Sequence, residues 1–105
     1  MARFRKKPVV ITAVQLRWDT WNEMSEHAGV GKLSEGKPEV CYVGPFVGKP
    51  DSTNGIIGLK IPTLDGVMFA NENDWVIRGV KGELYPCKPD VFEATYEPVG
   101  EADGS

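Results

Sequence analysis

The chain has 105 residues, 41% of them hydrophobic and 26% charged, with a formal net charge of −3 at pH 7. That length holds one domain with a modest core, spanning 1–105, and leaves no room for a second. The composition is that of a globular chain, and no apolar run approaches the roughly 20 residues a spanning helix needs, so no membrane partner is expected.

The charge is unevenly placed. Arg3, Arg5, Lys6 and Lys7 supply four of the twelve positive charges within the first seven residues, and the remainder of the chain is acidic. Duplex-binding surfaces carry a basic face, so nucleic acid is not an expected partner unless this arm provides the contact. Residues 1–7 read as a solvated basic arm leading into a strand. MARFRKK has the charge of an export-signal start, but PVVITAV is too short and too β-branched to serve as the cleavable segment, so a cytoplasmic protein is expected.

PVVITAVQLRW, residues 8–18, is apolar and β-branched on both alternating faces, which predicts a strand covered on both sides from about Val9 to Leu16. TWNEMSEHAG follows as a short helix: Thr20 and Glu23 have capping-box spacing, Gly29 is the stop, and Trp21, Met24 and Ala28 form one stripe. His27 lies beside that stripe and reads as a surface or half-buried residue. VGKLSEGK reads as a loop. PEVCYVGPF, 38–46, reads as a second strand, with Val40 and Tyr42 on one face and Cys41 and Val43 on the other. The polar GKPDSTNG, 48–55, is the segment expected to be most mobile.

Two hairpins come next. Asp65-Gly66 is a favoured two-residue turn, which sets Leu64 opposite Val67, Pro62 opposite Phe69 and Ile61 opposite Ala70. Pro62 then requires an edge or a bulge on its amide side. In the second hairpin Lys81-Gly82 as turn residues set Val80 opposite Glu83, Arg78 opposite Tyr85 and Val76 opposite Cys87. PDVFEATYEPV closes the fold as a short helical turn capped by Asp90 and Glu93, with Phe92 and Tyr96 pinning it to the sheet. Residues 100–105 read as a flexible tail. The sum is an α+β fold: a bent, mostly antiparallel sheet or small half-barrel, one short helix packed on it, and a short C-terminal helical turn.

Few residues offer catalytic chemistry. A zinc site takes about four N or S ligands at paired spacing, and Cys41, Cys87 and His27 do not supply them, so no metal or other cofactor is expected. The cysteines read as buried free thiols. Asp74, Glu83, Asp90 and Glu93 cluster in sequence, but turn and cap roles account for Asp74, Asp90 and Glu93. Gly79 and Gly82 flank a turn, so no phosphate-binding loop is present. The second hairpin holds the candidate ligand-binding residues: Arg78 as a bidentate donor, Tyr85 as a flat wall with a hydroxyl, Glu83 beside them and Lys81 at the tip. Such a set suits a small anionic or nucleotide ligand. An exposed Arg/Tyr contact with a surface ion pair to Glu83 is the alternative, purely structural account and the weightier of the two.

RFRKKPVVITAVQ, 3–15, and NDWVIRGVKGELYPCKPDVFEATYEPV, 73–99, resemble a family of small proteins encoded by tailed bacteriophages and prophages. In that family KKPVVIEAVQ is joined through a variable middle to GDWIIRGVKGEFYPCKPDIFEATYE. The resemblance covers roughly 3–16 and 61–99; Thr12 stands where an acid is expected and Asn73 where glycine is usual. It implies a phage origin and a host-cell cytoplasmic location. The expectation that follows is a non-enzymatic, homo-oligomeric accessory protein that binds and neutralises a host factor, either a nucleotide-type defence signal or a host protein. The alternative is a minor virion or assembly protein working through contacts with another phage protein.

Overall fold

The computed structural model describes residues 2–3 and 10–98; the basic arm beyond Arg3, the residue Val9 and the expected tail fall outside the described residues. In chain order the elements are β1 (Thr12–Gln15), α1 (Trp21–Ala28), a 3-10 turn (Leu33–Glu35), β2 (Glu39–Val43), β3 (Ile56–Thr63), β4 (Gly66–Ala70), β5 (Trp75–Arg78), β6 (Leu84–Cys87) and α2 (Pro89–Thr95). The α+β class is as expected. The strands form two antiparallel three-stranded sheets, ordered β1-β5-β6 and β2-β3-β4, that do not close into a barrel.

Period-two burial in β3 explains the second sheet. Ile57, Leu59 and Ile61 are fully buried, while Ile56 is 55% exposed. Val40 of β2 lies opposite Leu59, so the face read from the sequence for Val40 and Tyr42 is the inner one. The core joins these residues to Leu16, Met24, Ala28, Ala70 and Val76. Met24 and Ala28 are the buried members of the α1 stripe, and Trp21 packs at its margin.

Local chemistry sets the ends of α1. Gly29 takes φ 67°, its N–H donates to the Glu26 carbonyl, and the Val30 N–H donates to that of Ser25 at 3.0 Å. These two bonds make a Schellman close, as the glycine predicts. The N-terminal end differs from expectation: the Thr20 hydroxyl caps nothing and donates to the Gln15 carbonyl at 2.6 Å, tying the helix start to β1. Likewise α2 begins with Lys88 as its N-cap and Pro89 in the first turn, so Asp90 is inside the helix rather than capping it. Proline at that position costs no hydrogen bond.

Both hairpins depart from the expected register. In the first, Pro62 pairs with Val67, Ile61 with Met68 and Leu59 with Ala70, because Leu64 and Asp65 form the turn. The shift is by two residues, so every side chain stays on its expected face. Pro62 lies beyond Lys60, which pairs with Glu39 at the start of β2, so its missing N–H falls where the central strand has only one neighbour. In the second, Gly79 and Glu83 close a three-residue loop: the Gly79 N–H donates to the Glu83 carbonyl at 2.8 Å and Gly82 takes φ 82°. A turn followed by a left-handed glycine is the usual three-residue solution. Arg78 then pairs with Leu84 and Ile77 with Tyr85, a one-residue shift that exchanges the faces of β6 relative to β5.

The first sheet is covered on both sides at β5, whereas β1, expected from its apolar sequence to be covered on both sides, is an edge strand and only partly buried. Val76 and Val14 face α1 and the core. Ile77 is also fully buried, on the opposite face, where α2 packs through a Trp75–Phe92 ring stack with centroids 4.1 Å apart. Removing the centre of the larger core should therefore be costly. Leu59→Ala is expected to lower unfolding free energy by about 2–5 kcal/mol, measured by urea denaturation; a change below about 1 kcal/mol would mean that this site collapses around the smaller side chain.

Candidate functional site

The four residues singled out in the second hairpin do not converge. Arg78 and Tyr85 are on opposite faces of the sheet, since Arg78 pairs with Leu84 and Tyr85 with Ile77. Each has a role in the fold. The Arg78 Nε and Nη2 donate to the His27 carbonyl at 3.2 and 2.7 Å, and Nη1 donates to the Gly82 carbonyl at 2.8 Å. A guanidinium thus holds the C-terminal end of α1, where carbonyls lack helical partners and the helix dipole is negative. Glu83 accepts the Lys81 backbone N–H on Oε2 at 3.0 Å, and Lys81 is exposed at the tip. The Tyr85 hydroxyl meets that of Tyr96 at 3.4 Å, and this contact, with burial, pushes the Tyr85 pKa up to about 12.

His27 completes the α1 junction. Its Nε2–H donates to the Val76 carbonyl at 3.0 Å, and burial lowers its pKa, so the ring is neutral at pH 7. The half-buried reading is correct, and the ring is spent on the backbone. Both cysteines are free and partly buried, and burial raises both thiol pKa values, the opposite of what a nucleophile needs. Among the described residues no three His, Cys, Asp or Glu side chains gather as a metal site.

Two depressions stand out among the described residues. The smaller, about 420 Å³, is lined by Arg17, Trp18, Asp19, Ser52, Glu72 and Asn73. Its one charged pair, Arg17–Asp19 at 3.0 Å, is satisfied within the chain. Beside it the 48–55 segment folds on its own hydrogen bonds: Asp51 Oδ1 accepts the Thr53 N–H at 2.8 Å and its hydroxyl at 2.6 Å, and the Asp51 N–H donates to Asn54 at 2.8 Å.

The larger depression, about 660 Å³, is a groove between β1 and α2. Four consecutive residues, Val10 to Ala13, form one wall, so the groove follows the edge of a strand rather than one of its faces. The other wall is α2 and the turn after it, with Phe92, Glu93, Tyr96 and Glu97, and Trp75 contributes from β5. Phe92 is central: it stacks on Trp75 within 9° of parallel and meets Tyr96 at 5.1 Å. The sequence marks Phe92 and Tyr96 as a staple but does not show that they face residues 80 positions away. An anionic ligand is poorly matched to this groove, because Glu93 and Glu97 bring negative charge. Its volume and aromatic lining suit an apolar or cationic group.

No protein-family model, curated protein or solved structure matches the chain.

Two outcomes follow from these contacts. Arg78→Ala is expected to destabilise the fold by about 2 kcal/mol and lower the melting temperature by roughly 10 °C, with Arg78→Lys failing to restore it, because an ammonium cannot reproduce the fork. An unchanged melting temperature would show that the clamp contributes nothing. The Thr53 hydrogen bonds hold the Asp51 carboxyl pKa below its usual value. A depressed folded pKa contributes order above the unfolded value and loses it as pH falls through the folded one. Amide signals of Thr53 and Asn54 are therefore expected to shift at a pH below the ordinary Asp range, and a midpoint within that range would contradict the contact.

Proposed function

We propose that this chain is a non-enzymatic accessory protein of a tailed bacteriophage or prophage that binds and neutralises a protein of the host through the groove between β1 and α2. The groove carries this reading, as an aromatic floor next to an unpaired strand edge is a recurrent surface for extended segments of another protein. The phage origin rests on the quoted sequence resemblance. Asn73, where that family has glycine, takes φ 77°, a conformation both residues favour, so the departure is compatible with the same turn.

A nucleotide-type ligand is the less supported form of the proposal. It called for Arg78 and Tyr85 on one face with a free guanidinium, and three of the Arg78 donors are used within the chain. The virion or assembly role has support of its own in the outer face of the second sheet. Val43, Ile56, Val67 and Phe69 there are 47–62% exposed, a surface that apolar partners cover in assemblies.

The two roles separate experimentally. Cross-linking mass spectrometry in infected cells is expected to join Glu93 or Val10 to one host protein, with the link lost in the charge-reversal variant Glu93→Lys/Glu97→Lys. Links retained in the folded variant would remove the groove from the function. Detection of the chain in purified particles would favour the virion role. A small molecule released on denaturation would favour sequestration.

A further inference from the structure

The loop between β2 and β3 is built around one carboxamide. Asn54 Oδ1 accepts the Asp51 N–H at 2.8 Å, and Nδ2 donates to the Val47 and Lys49 carbonyls, both at 3.2 Å. One acceptor and two donors are used together, so a carboxylate cannot stand in for the amide. The next residue is equally constrained. A Cβ on Gly55 would lie 2.8 Å from that of Pro50, and the Gly55 carbonyl accepts the Trp18 indole N–H at 3.1 Å. The loop thus demands asparagine followed by glycine. That pair is also the one most prone to close on itself as an imide, because glycine has no side chain to hinder attack by its own nitrogen. Asn22, Asn71 and Asn73 are each followed by an acidic residue.

We infer that Asn54 is a site of spontaneous deamidation, held in check by the folded loop and converted when the loop opens. The Gly55 nitrogen gives its proton to water or hydroxide and bonds to Asn54 Cγ. The Cγ–Nδ2 bond then breaks, the nitrogen takes up a proton from water and leaves as ammonia, and a succinimide is formed. Water opens this ring at either carbonyl, which leaves a carboxylate on a normal or a β-linked backbone. In the folded loop both reactants are engaged: the carboxamide by its three bonds, and the Gly55 N–H by the Asp51 carbonyl at 3.1 Å. After conversion the Val47 and Lys49 carbonyls lose their donor and face a new negative charge near that of Asp51, so the loop does not re-form. The change is irreversible and reaches the smaller depression, where the loop supplies Ser52 and, through Gly55, holds Trp18. The loop contributes no residue to the groove between β1 and α2, so this chemistry is independent of any host partner.

Peptide mapping by mass spectrometry, on the full chain incubated at neutral pH either folded or in guanidinium chloride, tests the site. Conversion at Asn54 is expected to be at least about tenfold slower in the folded chain, because it waits for local opening. Asp51→Ala removes both side-chain bonds to Thr53 while leaving Asn54 and Gly55 in place. It is expected to raise the folded-state rate about threefold or more; Thr53→Ala, which loses the hydroxyl bond alone, is the second variant. Asn54→Asp carries the product's carboxylate and is expected to shift the Trp18 indole proton and to lose exchange protection at the Gly55 amide. Equal rates in the folded and unfolded chain, or no conversion in the unfolded chain, would overturn the inference. So would folded-state rates unchanged in both loop variants, or an Asn54→Asp variant in which the Trp18 and Gly55 signals stay where they were.

Discussion

The junction between the end of α1 and strand β5 decides most of this architecture. The His27 side chain donates to the Val76 carbonyl, and two nitrogens of Arg78 donate to the His27 carbonyl. Each element thus supplies a side chain to the other's backbone. These bonds satisfy a carbonyl in the last turn of a helix of only eight residues, where unpaired groups are a large share of the total. They also fix the side of the sheet on which Arg78 lies. Alternation then sends Val76 to the larger core and Ile77 to the far face, where α2 must cover it.

Sheet β1-β5-β6 consequently works as a partition between two apolar layers of unequal size. On one side lie Leu16, Met24, Ala28 and the inner row of β3; on the other lie Ile77 and the stacked rings of Trp75 and Phe92. A helix of seven residues has little stability of its own, and α2 makes no side-chain cap. Ring stacking against the sheet is what holds it. Because α2 covers β5 and β6 and leaves β1 bare, the coverage itself creates the groove. The most distinctive surface of the molecule is therefore a by-product of how a short helix closes a small core.

The hairpin tip and the groove illustrate two ways in which polar residues acquire meaning. Arg78, Glu83 and Tyr85 look like ligand contacts in a linear sequence, since each carries a group suited to recognition. In three dimensions they serve a helix end, a loop amide and a neighbouring phenol. Glu93, read from spacing as part of a helix cap, stands instead on the wall of the groove. Residue type alone does not separate the two, because the same hydrogen-bonding capacity satisfies backbone or ligand.

Much of the fold was legible in the order of residues. The β-branched run in 8–18, the alternation in 38–46, the Trp21–Met24–Ala28 stripe, the Gly29 stop and the Phe92–Tyr96 staple are local patterns, and local sterics and burial are enough to express them. Even the first hairpin kept its faces, because its pairing register shifted by two residues. The second moved by one, since Gly79 to Glu83 closes a three-residue loop, and that single step put Arg78 and Tyr85 on opposite sides. The groove was beyond reach for a different reason: its walls come from 10–13 and 92–98, and only packing of α2 on β5 brings them together. Periodicity is a property of neighbours along the chain and survives in the sequence. Which unpaired edge meets which aromatic face depends on long-range closure, and the tertiary structure alone decides it.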